Sequence, residues 1–271
     1  MRIRIVDAFT DRPFAGNPAG VVLLDTDAFP DDDWLQQVAS EVNLSETAFA
    51  HPLPAGAGAD WALRWLTPTT EVAMCGHATL ATAHVLRTTG TATGTVRFAT
   101  LSGVLSATGD DSGAITLDFP TAPLTEIEVP TAAADALGAE IRSAHDTGPN
   151  VGDLLVELAD EKTVRALAPD LAALTHLVRR AVIATAFPED PARGYDFVSR
   201  VFGPAIGIDE DPVTGSAHTA LAPFWSARLG RDELTGLQAS ARTGLVHTAL
   251  RGDRTLLTGN AVTVIDGELL V

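Results

Sequence analysis

The chain has few of the residues that mark several common protein classes. It has one cysteine and two methionines among its 271 residues. A single cysteine excludes a disulfide within the monomer and favours a reducing compartment, so a cytoplasmic protein is expected. No apolar run approaches the roughly 20 residues of a membrane span, and no signal-peptide core follows the first residues. We therefore expect no association with a membrane.

Positive charge is also scarce. Lysine and arginine number 18 against 35 aspartate and glutamate residues, for a net charge of −17. Such a chain repels the phosphates of nucleic acid, so no nucleic-acid partner is expected. An anionic substrate would have to be bound by local hydrogen-bond donors, because the overall electrostatic field does not attract it. Hydrophobic residues make up 46% of the chain, which is ample for a packed core.

Cofactor motifs are absent from the sequence. The glycine-rich stretch 12–20 has neither the G-x-G-x-x-G pattern nor a phosphate-loop lysine. The seven histidines are scattered, and no His/Cys cluster has ligand spacing. We therefore expect neither a cofactor nor a metal.

Two short segments, 75–81 and 211–222, resemble each other. Each contains a glycine turn followed by small apolar helix formers, with an acidic residue upstream: Glu71 in one, Asp209 or Glu210 in the other. A helix that begins at such a turn leaves N–H groups unpaired and directs its positive end outward. That end suits a carboxylate or an enolate. One segment in each half of the chain predicts two domains that hold one small anionic ligand.

The hydrophobic pattern predicts the fold class. Short strands outnumber helices, and each half has one long apolar helix, at 78–87 and 217–229. This pattern favours a curved antiparallel sheet around a central helix over a parallel βαβ sheet. Three prolines at 120–130 indicate a linker. We expect an α+β fold of two pseudo-symmetric domains, 1–119 and 124–271, each a curved antiparallel sheet or open barrel around a central helix.

Glu46 is the first candidate for catalysis. It stands at the start of a predicted strand, within the largely apolar segment 43–49. Desolvation there would raise its pKa toward neutrality, which suits proton transfer to and from carbon. From its position alone it could instead be a surface residue at a strand start or a partner of the preceding helix end.

The two glycine turns supply further candidates, each with two interpretations. His77 could donate to a substrate oxygen or cap its helix, and Cys75 could be a thiolate base or a buried apolar residue. Asp211 could be a catalytic carboxylate or a turn former. Ser216 could bind substrate, cap its helix or do both, whereas His218 is expected to be structural.

Several short motifs occur in order along the chain. They are Asp7-Ala8-Phe9, Gly16-Asn17-Pro18, Asn43-Leu44-Ser45-Glu46-Thr47, Cys75-Gly76-His77-Ala78-Thr79, Arg200-Val201-Phe202-Gly203-Pro204 and Asp211-Pro212-Val213-Thr214-Gly215-Ser216-Ala217. Taken together, these motifs resemble the PhzF-like family of phenazine-biosynthesis isomerases and their relatives. The resemblance extends over about residues 3–265 and implies the diaminopimelate-epimerase fold, with the site in the cleft between two domains. It also implies cofactor-independent proton transfer and commonly a homodimer.

The resemblance also assigns roles to residues. It implies that Glu46 is the acid/base and that His77, Asp211 and Ser216 bind and polarise the substrate. The backbone N–H groups of Gly76 and Gly215 assist them, with Cys75 beside the first of these turns.

Cys75 is a departure from the family pattern, because the phenazine enzyme has another residue there. Racemases and epimerases of the same fold use a pair of cysteines; here the second is missing and Asp211 stands near its place. The expected function is a cofactor-independent isomerase of a small carboxylated metabolite. The alternatives are a racemase or epimerase that uses Cys75 and Asp211, or a non-catalytic ligand-binding member of the fold.

Overall fold

A computed structural model describes residues 1–149 and 151–271 and divides the chain into two compact units. Unit 1 comprises Met1–Asp118 and Thr258–Val271, and unit 2 comprises Phe119–Leu257. The strands, in chain order, are β1 Arg2–Ala8, β2 Asn17–Leu23, β3 Glu46–Pro52, β4 Trp61–Leu66, β5 Glu71–Val72, β6 Thr95–Thr100, β7 Gly103–Gly109, β8 Ile115–Pro120, β9 Thr125–Ile127, β10 Ser143–Asp146, β11 Leu154–Glu157, β12 Val182–Ala186, β13 Phe197–Gly203, β14 Ile208–Asp211, β15 Glu233–Gln238, β16 Gly244–Arg251, β17 Arg254–Gly259 and β18 Ala261–Glu268. The helices are α1 Asp32–Val42, α2 Gly76–Thr88, α3 Thr131–Leu137, α4 Gly148–Val151, α5 Glu161–Ala166, α6 Leu171–Thr175 and α7 Gly215–Leu229.

The sheet of unit 1 is built around two helical crossovers. Strand β1 pairs antiparallel with both β18 and β2. Helix α1 then carries the chain to β3, which runs parallel to β2, and β4 returns antiparallel. Helix α2 carries the chain from β5 to β6, which runs parallel to β4, and β7 and β8 follow antiparallel.

Unit 2 repeats this order of pairings. Strand β10 pairs antiparallel with β9 and β11. Helices α5 and α6 lead to β12, parallel to β11, and β13 returns antiparallel. Helix α7 leads to β15, parallel to β13, and β16 follows antiparallel. The predicted α+β fold of two pseudo-symmetric domains is confirmed, with two parallel pairs in each unit where a helix links neighbouring strands.

The two long apolar helices are buried, as their sequences predict. Ten residues of α2 and ten of α7 are buried, which is why neither helix shows a polar face. In unit 2, the Trp225 ring of α7 stacks on Phe197 of β13, with ring centroids 5.9 Å apart. Both helices begin two residues earlier than predicted, at the glycines themselves. No helix among the described residues is long and apolar enough to cross a membrane.

The C-terminal segment differs from the expected domain division. The sequence assigns 124–271 to the second domain, whereas Thr258–Val271 belongs to unit 1. The reason is strand β18, which pairs with β1 from Arg2 opposite Glu268 to Ala8 opposite Ala261. Sequence periodicity shows that a strand exists there but not which strand it will join.

The sequence pattern of strand β15 is weak, because a glycine interrupts it. A side chain at Gly236 would place its Cβ 2.4 Å from a ring carbon of Phe197 and 3.0 Å from the His218 ring. Glycine is therefore required for close packing at a position where it weakens the strand pattern.

Candidate active site

Glu46 is placed by the way α1 ends. Asn43 closes that helix in the left-handed conformation, with φ 52°, and its N–H donates to the Ala39 carbonyl. Strand β3 then begins at Glu46, which lies opposite Ala19 in the parallel pair with β2. The residue is buried, at 8% exposure, so the surface interpretation of Glu46 does not hold.

His77 faces Glu46. It is the second residue of α2, whose N-cap is Cys75, so the capping interpretation of His77 does not apply. Its Nε2 lies 3.3 Å from Glu46 Oε2. Burial lowers the pKa of His77 to about 3, because the charged imidazolium is disfavoured away from water. The ring is therefore neutral at physiological pH.

Asn17 determines which nitrogen of His77 carries the proton. The Ser45 hydroxyl donates to Asn17 Oδ1 at 3.3 Å, so the Asn17 amide nitrogen is the group that faces His77 Nδ1, at 3.2 Å. Nδ1 must accept, and the proton lies on Nε2, toward Glu46. Among the described residues, this buried Nε2 has no partner with hydrogen-bond geometry. A donor is thus available beside the Glu46 carboxyl group.

Cys75 completes this cluster in unit 1. It is buried, and its Sγ lies 3.5 Å from His77 Nδ1. Because that nitrogen accepts and the ring is neutral, the contact suits a protonated thiol and provides no imidazolium to stabilise a thiolate.

The cluster also brings together three possible metal ligands. One atom each of Glu46, Cys75 and His77 lies within 4.8 Å of the others. The sequence spacing did not reveal this group, because the fold assembles it from β3 and the start of α2. Carboxylate, thiol and imidazole form a donor set that zinc-like cations accept.

In unit 2, Asp211 lies in a turn that is held on two sides. Thr214 donates its hydroxyl to Asp211 Oδ2 at 2.6 Å. The fully buried Gln238 accepts from the Thr214 N–H at 2.8 Å and donates to the Asp211 carbonyl at 2.7 Å. The Ser240 hydroxyl donates to the Pro212 carbonyl at 2.8 Å. Gln238 is the last residue of β15 and Ser240 lies just beyond it. The weak strand pattern of this segment gave no sequence signal for either residue.

Helix α7 begins at this turn, with Thr214 as its N-cap. Ser216 is therefore not the cap; its Oγ accepts hydrogen bonds from the guanidinium of Arg180, with both N···O distances 2.9 Å. His218 is fully buried, its Nδ1 lies 2.8 Å from the Thr214 carbonyl, and burial lowers its pKa to about 4. These contacts are consistent with the structural role expected for His218.

The N-termini of α2 and α7 lack a side-chain cap. Neither N-cap residue makes a side-chain cap hydrogen bond, as is also the case in the shorter α3 and α4, whereas α1, α5 and α6 are capped by aspartate side chains at positions 31, 160 and 170. The first turns of α2 and α7, with Gly76 and Gly215, thus present backbone N–H groups that no capping side chain covers.

Each helix is preceded by the same ion pair. Arg64 on β4 makes two hydrogen bonds to Glu71 on β5, at 2.8 and 2.6 Å. Arg200 on β13 makes two to Glu210 on β14, at 2.7 and 2.9 Å. The repeated acidic position seen in the sequence is therefore Glu71 in unit 1 and Glu210 in unit 2.

A family model described as "Phenazine biosynthesis-like protein" matches residues 6–267. The chain belongs to this PhzF-like family. It is 46% identical over 265 residues to an uncharacterized isomerase of Pseudomonas aeruginosa, covering 97% of this chain and 96% of the relative. It is 44% identical over 272 residues to an uncharacterized isomerase of Halalkalibacterium halodurans, covering 99% and 98%.

A solved PhzF-family structure extends this similarity to the fold. The crystal structure of a phenazine biosynthesis protein from Enterococcus faecalis matches with a TM-score of 0.90 and 39% identity, covering 100% of this chain and 99% of that one. The family and the fold class indicated by the sequence motifs are both confirmed.

Proposed function

We propose that this PhzF-like protein is a cofactor-independent isomerase that moves a proton between two carbon atoms of a small carboxylated metabolite. The observation that carries the proposal is the buried pair Glu46 and His77. A neutral imidazole with its proton on Nε2 lies 3.3 Å from the carboxyl group. Because the ring is neutral, it does not form an ion pair with the Glu46 carboxylate.

In the proposed reaction, the Glu46 carboxylate removes a proton from an acidic carbon of the substrate. The electron pair left behind moves onto the conjugated carboxylate as an enolate, and the Glu46 carboxyl group then returns the proton to a second carbon. The His77 Nε2–H donates to the developing negative charge. Preorganised donors of this kind can contribute roughly 3–4 kcal/mol each to lowering a barrier.

The turn of Asp211 and the first turn of α7 complete the proposed site. We further propose that Asp211, Gly215 and Ser216 bind the same substrate as Glu46, Cys75, Gly76 and His77. The uncovered N–H groups of the two helices support this assignment, since such groups bind carboxylates and enolates. A homodimer, which the family resemblance implies, belongs to the proposal and is tested by sedimentation of the purified chain.

A racemase or epimerase that uses Cys75 and Asp211 is the second candidate, favoured by the buried thiol at the start of α2. The neutral His77 argues against it, because a thiolate there would lack the cationic partner that usually lowers a cysteine pKa.

Proton exchange with solvent tests the proposal. The protein is incubated in D2O with a panel of small unsaturated and α-acidic carboxylic acids, and loss of C–H signals is followed by proton NMR. The Glu46→Gln variant keeps the shape and hydrogen bonding of the side chain but removes the base. We expect exchange to slow by about 10²–10⁴-fold, with binding of the acid nearly unchanged.

The matched control is Cys75→Ala, which should reduce exchange far less because the thiol then only fills space. If Glu46→Gln exchanges protons at the parent rate while Cys75→Ala loses exchange, the racemase proposal replaces the isomerase proposal. Binding of an acid by the parent protein without any exchange would favour a non-catalytic member of the fold.

A further inference from the structure

Arg180 connects a buried carboxylate to Ser216 in unit 2. Its Nε and Nη2 donate to the two carboxylate oxygens of Asp153 at 2.6 and 2.5 Å. Its Nη1 and Nη2 donate to Ser216 Oγ, both at 2.9 Å. The Asp153 side chain is fully buried, and that of Arg180 is 27% exposed. The guanidinium thus reaches from the interior to the first turn of α7.

The position of this guanidinium is strongly constrained. Asp153 directly precedes β11, and Arg180 lies two residues before β12, which is the neighbouring parallel strand. The Asp153 backbone is fixed in turn by Thr147, whose hydroxyl accepts from the Asp153 N–H at 2.8 Å and donates to its carbonyl at 3.0 Å. A buried ion pair adds little net stability, but a two-point contact fixes the plane of an arginine fork.

The contact with Arg180 limits what the Ser216 hydroxyl can do. A hydroxyl has one O–H and two acceptor lone pairs, and two guanidinium N–H groups point at this oxygen. Ser216 is therefore left to act as a donor toward any third group. A positive charge beside the oxygen also makes that O–H a stronger donor.

We propose that Arg180 is a positioning residue that makes Ser216 a dedicated hydrogen-bond donor, so that the start of α7 takes a carboxylate oxygen of the substrate and not an ammonium group. This inference rests on the proposed function, which assigns Ser216 to the substrate. The neighbouring Arg179 serves as a matched control, because it pairs with the partly exposed Asp146 and the Gly148 carbonyl instead.

A thiol placed at position 216 reports on Arg180 without any substrate. Cys75→Ser removes the only native cysteine, and Ser216→Cys then introduces a single thiol whose pKa follows from the rate of iodoacetamide alkylation across pH. Next to the guanidinium and a helix N-terminus, the thiol pKa should lie about 1–3 units below 8.5. Adding Arg180→Met should raise it by about one unit or more, whereas Arg179→Met should leave it unchanged.

The variant Arg180→Lys separates charge from geometry. A lysine keeps the positive charge but lacks the planar fork, so part of the pKa depression should remain. If Arg180→Met does not fold, the thiol pKa with arginine at position 180 is compared with that of Arg180→Lys instead. A thiol pKa that is the same with arginine, lysine and methionine at position 180 would overturn the inference.

Binding of itaconate, a small unsaturated dicarboxylate, tests the chemical class by calorimetry. Ser216→Ala and Arg180→Met should each weaken binding by about tenfold or more, and the double variant should be no weaker than Ser216→Ala alone, because both remove one interaction. The inference would be contradicted if the losses of affinity in the two single variants multiplied in the double variant. Tighter binding of the dimethyl ester of itaconate than of the acid would also contradict it. The thiol titration is independent of Glu46, so failure of the Glu46→Gln prediction leaves this inference to be judged separately.

Discussion

His77 owes its neutral state to burial. The only cause that lowers its pKa to about 3 is the loss of water around the ring, and the Asn17 amide then selects the Nε2 tautomer. Burial thus determines the charge of His77, and Asn17, 60 residues away in sequence, determines the position of its proton. A neutral donor of this kind can stabilise an enolate without neutralising the Glu46 carboxylate beforehand.

This burial predicts acid sensitivity of the fold. Between about pH 6.5 and 3, the unfolded chain binds a proton at residue 77 while the native chain does not, so stability falls as the pH falls through this window. Relative to pH 7, the contribution of His77 lost at pH 5 should be about 2 kcal/mol. In the His77→Gln variant, the free energy of unfolding should fall less steeply as the pH is lowered over this range. Urea denaturation at several pH values measures this dependence.

The exposed His176 offers the matching control, because His176→Gln should keep the pH dependence of the parent protein. His218, whose pKa is lowered to about 4 by burial, contributes in the same direction in all three proteins. An identical pH dependence in the parent and in His77→Gln would mean that residue 77 is not buried in neutral form.

The turn that carries Asp211 depends on strand β15. Gln238, the last residue of that strand, holds the Thr214 N–H and the Asp211 carbonyl together. A leucine at this position would fill similar space and leave both backbone groups without this partner. We expect Gln238→Leu to lower the free energy of unfolding by about 2 kcal/mol or more and to slow proton exchange.

The urea midpoint measures the first effect, and the D2O exchange assay measures the second. Gln37→Leu is the matched control, since Gln37 is exposed on α1 and its loss should change neither quantity. Normal exchange in a clearly destabilised Gln238→Leu would show that the turn affects stability but not the site.

The central helices were predictable because their signals are local. The glycine turns at 76 and 215, each followed by small apolar residues, indicated two buried helices. The contacts that tune the site were not predictable in the same way. Asn17 contacts His77, which is 60 residues away in sequence, and Arg180 contacts Ser216, which is 36 residues away. Both contacts depend on strand pairings that sequence periodicity does not specify.

Over the whole molecule, the net charge of −17 opposes the approach of an anionic substrate. Local donors can bind the anion once it arrives, but the long-range field slows its arrival. Salt shortens the range of that field from about 30 Å at 0.01 M to about 8 Å at 0.15 M. For an acid that exchanges, kcat/KM should therefore rise by about twofold or more between these ionic strengths.

The measurement is repeated with chloride and with a bulkier anion, so that competition of the salt for the site is seen separately. A fall in kcat/KM with both salts would mean that a positive local field governs the approach of the substrate.

Strand β18 has a consequence for how the chain is made. Unit 2 is continuous in sequence, but unit 1 is completed only when Thr258–Val271 joins it. On the ribosome, the first unit to be started is thus the last to be finished, because β18 emerges after all of unit 2. Until then one edge of β1 lies open, and an open strand edge is a template for pairing with other chains. The interval before β18 pairs with β1 is therefore the time at which a nascent chain most needs protection from its neighbours.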